Sequence, residues 1–423
     1  MPHSSQWIEI ALRENEISKC VHCGLCQAVC PTYLVERHEG KNARGKIVLL
    51  KGLLSGELKP NAYLADWFDD CLTCYACQSV CPSGVQTSRL WTAARQDLAS
   101  VATHTSRKRL ILRWTLGKPR LFRSLLRIGS LVNGINPHFH FLARLDHGRI
   151  PISRKAPYQH KVQKIYEPPD GTPLGSVGLV IGCLGDISLP WAVDGAISLL
   201  VKSGWRVILP KPQGCCGAPA INNGDWELAR SLAIRLAKLF SKWDWDFVTS
   251  PDATCTSTIR HDWQEIFLSQ GGAREGVKKL SSKVRGLWEL VETGIKAGRL
   301  EFKDTHTRVA LHHSCHSFHL PPANRWEVVL RKIPGLEIVP MEDEHLCCGF
   351  GGSYAKYYPE QSYRIAQRKI RKAKESGAEI MLVGSPGCLI RLNGVDEGSI
   401  PVEYIAHFLA ERAQSAQKLH HST

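Results

Sequence analysis

The sequence has no run of about 18 apolar residues, so it predicts no transmembrane helix. Its first 16 residues carry Glu9, Glu14 and Glu16 and show neither an apolar h-region nor a small-residue cleavage site, so no signal peptide is expected. It also lacks a dinucleotide fingerprint. Gly349-Phe350-Gly351-Gly352 misses the final spaced glycine of G-x-G-x-x-G and does not open a clear βα unit, so no flavin or nicotinamide site is expected in this chain. Acids are nearly absent from one segment: between residues 101 and 164, Asp146 stands alone against 14 Lys or Arg. That segment holds +13 of the net charge of +15. Cysteine, by contrast, is abundant, with 16 in 423 residues. With no export signal, this points to metal ligands rather than disulfides, and to a cytoplasmic protein.

Eight of the cysteines form a repeated run. Cys20-Val21-His22-Cys23-Gly24-Leu25-Cys26 is followed by Cys30-Pro31, and Cys71-Leu72-Thr73-Cys74-Tyr75-Ala76-Cys77 by Cys81-Pro82. Each reads C-x2-C-x2-C-x3-C-P, the spacing of ferredoxins with two [4Fe–4S] clusters. A tight C-x2-C-x2-C loop turns three thiolates toward one cubane, and the fourth cysteine of each run serves the other cluster. The expected sets are Cys20, Cys23, Cys26 and Cys81 for one cluster, and Cys71, Cys74, Cys77 and Cys30 for the second. Four-cysteine zinc sites also use paired C-x2-C units, but not three cysteines at two-residue gaps plus a Cys-Pro, twice over. The apolar stretch Ile47–Leu54 is expected to be a helix between the runs, and residues 1–19 a short lead-in helix.

The basic segment interleaves Leu110, Ile111, Leu112 and Trp114 with Arg109 and Arg113, and Leu121, Phe122, Leu125 and Leu126 with Arg123 and Arg127. This is an amphipathic, cationic helix pattern. It suits an anionic membrane surface or a docking face for an acidic partner, centred on residues 105–130. It carries no nucleic-acid module, and nucleic acid is not expected as a partner. Residues 151–173, with five prolines, read as a linker.

The remaining cysteines mark an internal repeat. Cys183 is followed after 31 residues by Cys215-Cys216-Gly217, and then after 38 by Cys255. Cys315 is followed after 31 by Cys347-Cys348-Gly349, and then after 39 by Cys388. Strand patterns at 177–181, 206–209 and 247–250 recur at 308–311, 336–341 and 380–384, with helices expected at 191–203, 225–243, 322–333 and 359–376. Such alternation implies parallel α/β units. It places the cysteines beyond the strand ends, where open α/β sheets bind ligands. Each repeat is expected to hold a metal centre, or the two repeats to share one, iron–sulfur or zinc; vicinal disulfides at Cys215-Cys216 and Cys347-Cys348 are the other reading. His312, His313, His316, His319 and His345 crowd the second repeat, with His316 or His345 as candidate ligands or proton relays. The expected fold is therefore α/β plus a small α-helical ferredoxin-type domain: residues 1–100, the basic segment 101–173, and repeats at 174–300 and 301–423.

The two ferredoxin runs, the Arg44-Gly45 step, Asp70-Cys71-Leu72-Thr73-Cys74, Cys215-Cys216-Gly217-Ala218 and His345-Leu346-Cys347-Cys348-Gly349 resemble the iron–sulfur subunit of bacterial glycolate oxidase, over nearly the whole chain. The repeats are similar to the CCG domains of heterodisulfide reductase, lactate-utilisation proteins and the third subunit of anaerobic glycerol-3-phosphate dehydrogenase. The resemblance implies an electron-transfer subunit. A partner FAD subunit would oxidise the 2-hydroxy acid and a membrane quinone would accept the electrons, at the cytoplasmic face of the inner membrane. Lactate and glycerol 3-phosphate are alternatives to glycolate, and thiol–disulfide chemistry at a CCG cluster is the alternative reaction. One departure counts against that last reading. The heterodisulfide reductase motif closes in C-x2-C, whereas here Asp252 and Ser385 take the place of the first of those cysteines.

Overall fold

The computed structural model describes residues 7–102, 105–118, 124, 144–145, 148–149, 153, 157–160, 162–318, 325–395 and 400–415. The N-terminal part is helical. Ile8–Ala11 and Glu14–Ser18 replace the single lead-in helix, because Arg13 leaves helical geometry between them. Helix Ala43–Ser55 starts at Asn42, whose side chain accepts a hydrogen bond from the Gly45 N–H, and stops at the left-handed Gly56. Its Ile47, Leu50 and Leu53 pack with Phe68, Leu90 and Trp91 from helices Ala62–Asp69 and Thr87–Asp97. This core lies beneath both cysteine loops, as the apolar stretch predicts.

The first repeat is a four-stranded sheet. Strand β1 (Ile165–Tyr166) pairs antiparallel with β3 (Arg206–Ile208), which pairs parallel with β2 (Ser176–Leu179), which pairs parallel with β4 (Phe247–Thr249). Val177 sits opposite both Val207 and Phe247. Val177, Leu179, Val180 and Ile181 are buried without alternation, the signature of a strand covered on both faces. Helix Trp226–Phe240 is capped by the Asp225 carboxylate at the Leu228 N–H (3.2 Å). It buries positions 226, 229, 232, 233, 236, 237 and 240 against the sheet, a 3.6-residue stripe. The linker expected at 151–173 gives way here: Tyr158 and Val162 enter the core and β1 seals the sheet edge. A two-residue strand is too short to show alternation, so the prolines around it dominated the pattern.

The second repeat follows strand β5 (Leu300–Phe302). It is an all-parallel sheet in the order β9-β8-β6-β7, where β6 is Thr307–His312, β7 Leu336–Val339, β8 Ile380–Val383 and β9 Val402–Tyr404. In the first repeat the place of β9 is held by a single bridge, Val248 to Val284. The chain closes with β10 (Ala413–Ser415), antiparallel to β5. Helix Pro190–Lys202 of the first repeat packs on Ile405–Arg412 of the second, and Leu287–Lys296 of the first packs on Trp326–Leu330 of the second. The helices that follow the first and fourth strand positions thus exchange partners in both directions, a pseudo-two-fold relation. One hydrophobic core runs through both repeats.

The basic segment opens with helix Thr105–Thr115. Three of its cations have internal partners. Lys108 reaches Asp69 at 2.8 Å, Arg109 donates to the Gly224 carbonyl, and Arg113 pairs with Asp225 and Glu227 at 2.7 Å. The helix is therefore a strut between the N-terminal part and the first repeat, leaving Leu110, Ile111 and Trp114 exposed. Net charge alone could not reveal that three of its cations have internal partners. Among positions 121–127 only Ser124 is among the described residues. No helix of the described residues is long and apolar enough to cross a membrane.

Candidate iron–sulfur site

The two ferredoxin loops have the same backbone. His22 and Gly24 in the first, and Thr73 and Tyr75 in the second, all have positive φ, from 48° to 84°. These turns bend the chain around its thiols, and the Thr73 N–H points to Cys71 Sγ at 3.4 Å. Where the first loop has glycine the second has Tyr75, a costly residue in left-handed geometry. Its ring is only 2% exposed and meets the edge of His316 at 5.2 Å. The second loop is thus built to pack on the second repeat.

Cys30 lies between the two loops: it interacts electrostatically with Cys26 of its own loop and with Cys71 and Cys77 of the second. Burial raises the Cys30 thiol, against the opposing pull of Lys46, whose ammonium is buried on the Lys41 and Asp70 carbonyls. Burial also pushes Cys77 up to about 12 and Cys26 up to about 11. Cys23 is exposed and Cys74 is buried.

In the first repeat the thiols form a file in which each interacts electrostatically with the next, Cys183 to Cys215 to Cys216 to Cys255. In the second the file is Cys315, Cys347, Cys348, Cys388, with Cys348 and Cys388 Sγ 3.2 Å apart. The glycine after each pair is left-handed, φ +97° at Gly217 and +85° at Gly349. Its N–H donates to the first sulfur of the pair at 3.4 Å in both repeats. A Cβ on Gly349 would stand 2.6 Å from the Ser362 carbonyl oxygen, so only glycine fits.

Both files open on one cavity of about 210 Å3 between the repeats, closed on one side by Leu72 of the second ferredoxin loop. Asp252 and Ser385, each three residues before the last cysteine of its repeat, meet there: Ser385 Oγ donates to Asp252 Oδ1 at 3.0 Å. Cys74 interacts with Cys315 and shares a buried cluster with Cys315 and Cys347. All sixteen cysteines are free thiols. Neighbouring thiols and burial raise most of these thiols, whereas Cys315 and Cys348 are held low, chiefly through Cys347 between them; a cationic centre stabilises the thiolate form of the whole set. The donor sets therefore fit iron–sulfur clusters.

Sequence reasoning missed three features. His312, grouped with the other histidines, is buried with Nε2 3.3 Å from Cys388 Sγ. The Asp252–Ser385 contact joins residues 133 apart. The seating of Cys74 on Cys315 links two motifs with no pattern in common. Of the proton-relay candidates, His316 lines the cavity, whereas His345 lies half-exposed beside Glu344. His319 is outside the described residues.

The 4Fe-4S dicluster domain family matches residues 16–85, and the cysteine-rich domain family matches residues 177–260 and 309–393. The chain is 24% identical over 426 residues, 95% of each chain, to the probable glycolate oxidase iron-sulfur subunit of Bacillus subtilis. It is 24% identical to the glycolate oxidase iron-sulfur subunit of Escherichia coli, over 92% of this chain and 93% of that one. It is 28% identical to lactate utilization protein A of Shouchella clausii, over 55% of this chain and 98% of that one. The chain is a homologue of glycolate oxidase iron–sulfur subunits, composed of a 4Fe-4S dicluster domain and a duplicated cysteine-rich domain.

Proposed function

We propose that this chain is the electron-carrying subunit of a flavin-dependent 2-hydroxy-acid dehydrogenase, with glycolate as the leading substrate of the complex. A partner FAD subunit oxidises the hydroxy acid, and this chain has no substrate-oxidising site of its own. The acceptor is a membrane quinone, which places the protein on the cytoplasmic face of the inner membrane. Leu110, Ile111 and Trp114, 61%, 44% and 51% exposed, furnish a peripheral apolar contact there.

The ligand sets are Cys20, Cys23, Cys26 and Cys81 for one cluster and Cys71, Cys74, Cys77 and Cys30 for the other. Cys183, Cys215, Cys216 and Cys255 hold a further centre, and Cys315, Cys347, Cys348 and Cys388 hold another. The dicluster domain occupies residues 1–100 and the repeats run to about residues 300 and 423, the first taking in β1. When bound, iron–sulfur clusters supply one-electron carriers. The chain's own part is to hold the thiolates, exclude water from them and fix their spacing.

The observation that carries this reading is the seating of Cys74 against Cys315. Through Cys74 the thiols of the second ferredoxin loop continue into the file of the second repeat, which opens on the cavity between the repeats. A structural zinc role gives no reason for that continuity. The test uses the purified complex with its flavoprotein, comparing wild type with Cys74→Ser. Hydroxy acid is expected to bleach the flavin in both, while quinone reduction is lost in the variant. Undiminished quinone reduction by Cys74→Ser would overturn the reading.

A further inference from the structure

The second repeat carries a group of ligating side chains outside its cysteine file. One potential ligand atom each from His313, Glu344 and His345 lies within 4.8 Å of the others. The two imidazole rings stand 5.1 Å apart and tilted. His345 Nε2 is 3.1 Å from Glu344 Oε1, and His313 Nε2 is 2.9 Å from Glu327 Oε1. His313 is 1% exposed, whereas His345 is 45% exposed, so the group has a fixed base and an open mouth.

The first repeat shows what this position looks like without such a group. At the 132-residue offset His313 corresponds to Ile181, His345 to Gln213, Glu344 to Pro212 and Glu327 to Gly195. The same two loops touch there too: the Ile181 N–H donates to Gln213 Oε1 at 2.9 Å. An ordinary hydrogen bond therefore suffices to join the loops on this scaffold. Four exchanges, each introducing a nitrogen or carboxylate donor, have converged on one point in the second copy only.

We infer that His313, His345, Glu344 and Glu327 form a binding site for a divalent cation of the zinc class, separate from the cysteine centres. Two imidazoles and two carboxylates are a borderline donor set that suits Zn2+. A tetrahedron with bonds of about 2.0–2.1 Å has edges of about 3.4 Å. The three grouped ligand atoms need to close by about 1.4 Å, from 4.8 Å to that edge, and Glu327 already stands 2.9 Å from His313; Glu327, Glu344 and His345 are each partly exposed. The cation would tie together the loop after β6, helix Trp326–Leu330 and the loop before Cys347. It would fix the loops that carry Cys315 and Cys347, the first two thiols of the second repeat's file, and it plays no part in electron transfer. The inference does not depend on the functional reading above.

The test uses the full chain with its iron–sulfur clusters, washed with chelator and dialysed against low-micromolar Zn2+. Wild type is expected to retain one more zinc per chain than His345→Ala or Glu344→Gln, with iron and sulfide unchanged in all three. X-ray absorption at the zinc edge is expected to show only nitrogen and oxygen at about 2.0 Å, with no sulfur at about 2.3 Å. Equal zinc in wild type and both variants, or a sulfur shell, would overturn the site. His345 and Glu344 lie at the open mouth, so loss of zinc in these variants does not arise from failure to fold.

Discussion

The two cysteine-rich repeats share one scaffold and differ in what surrounds their thiols. The first presents Val180, Ile181, Gly182 and Leu184 around Cys183. The second presents His312, His313, Ser314 and His316 around Cys315. The first is braced by helix Thr105–Thr115 through Arg113 and Asp225. The second receives the second ferredoxin loop, with Cys74 and Tyr75 against Cys315 and His316. Duplication supplied two equivalent files of four thiols, and the ferredoxin-type domain broke the equivalence by seating Cys74 of a cluster loop against the thiol file of the second.

The largest effect should come from testing that asymmetry directly. Cys315→Ser is expected to abolish hydroxy-acid-dependent quinone reduction by the complex nearly completely, with Cys183→Ser impairing it less. The comparison fails if Cys183→Ser is the more damaging of the two. Next in size is Tyr75→Gly. It relieves a left-handed residue worth about 1–2 kcal/mol but removes a buried aromatic worth about 3–5 kcal/mol. Denaturant titration should show a net loss of a few kcal/mol, whereas the exposed counterpart loop at Gly24 has no ring to lose.

The two Cys-Cys-Gly turns offer a smaller, paired measurement. Gly217→Ala meets nothing nearer than 3.5 Å and should cost only the left-handed penalty. Gly349→Ala meets backbone at 2.6 Å and should cost about 1–3 kcal/mol more, by overpacking. Equal losses would mean that the second repeat is no tighter than the first. The smallest effect is Arg113→Ala, below about 1 kcal/mol because the guanidinium is half exposed. Its signature is in pH. Burial tends to raise the Asp225 carboxyl, but Arg113 and the Leu228 N–H more than offset it and the group is held low. Asp225 therefore adds stability above its unfolded range that is lost as pH falls through its depressed value. Removing Arg113 should flatten that acid limb in thermal melts between neutral and acidic pH.

The cysteine spacings were legible because cluster ligation is a local demand: C-x2-C-x2-C closes on itself whatever surrounds it. The repeat was legible for the same reason, since Cys183 to Cys388 recur at fixed intervals and β2 and β6 read as continuous apolar runs. Strand β1 was hidden by its length, and the inward turn of Lys108, Arg109 and Arg113 by the fact that their partners lie 39 to 115 residues away.

By itself, then, the sequence determined the cysteine spacing of each loop and the alternation of strand and helix in both repeats. Each of these is written in short-range spacing. Only the tertiary structure decided that both thiol files face one cavity, that Asp252 meets Ser385, that Cys74 is seated on Cys315, and that His313, Glu327, Glu344 and His345 converge. Those relations depend on how three domains pack, and packing is set by the complementarity of buried surfaces brought together across the chain, which no local pattern encodes.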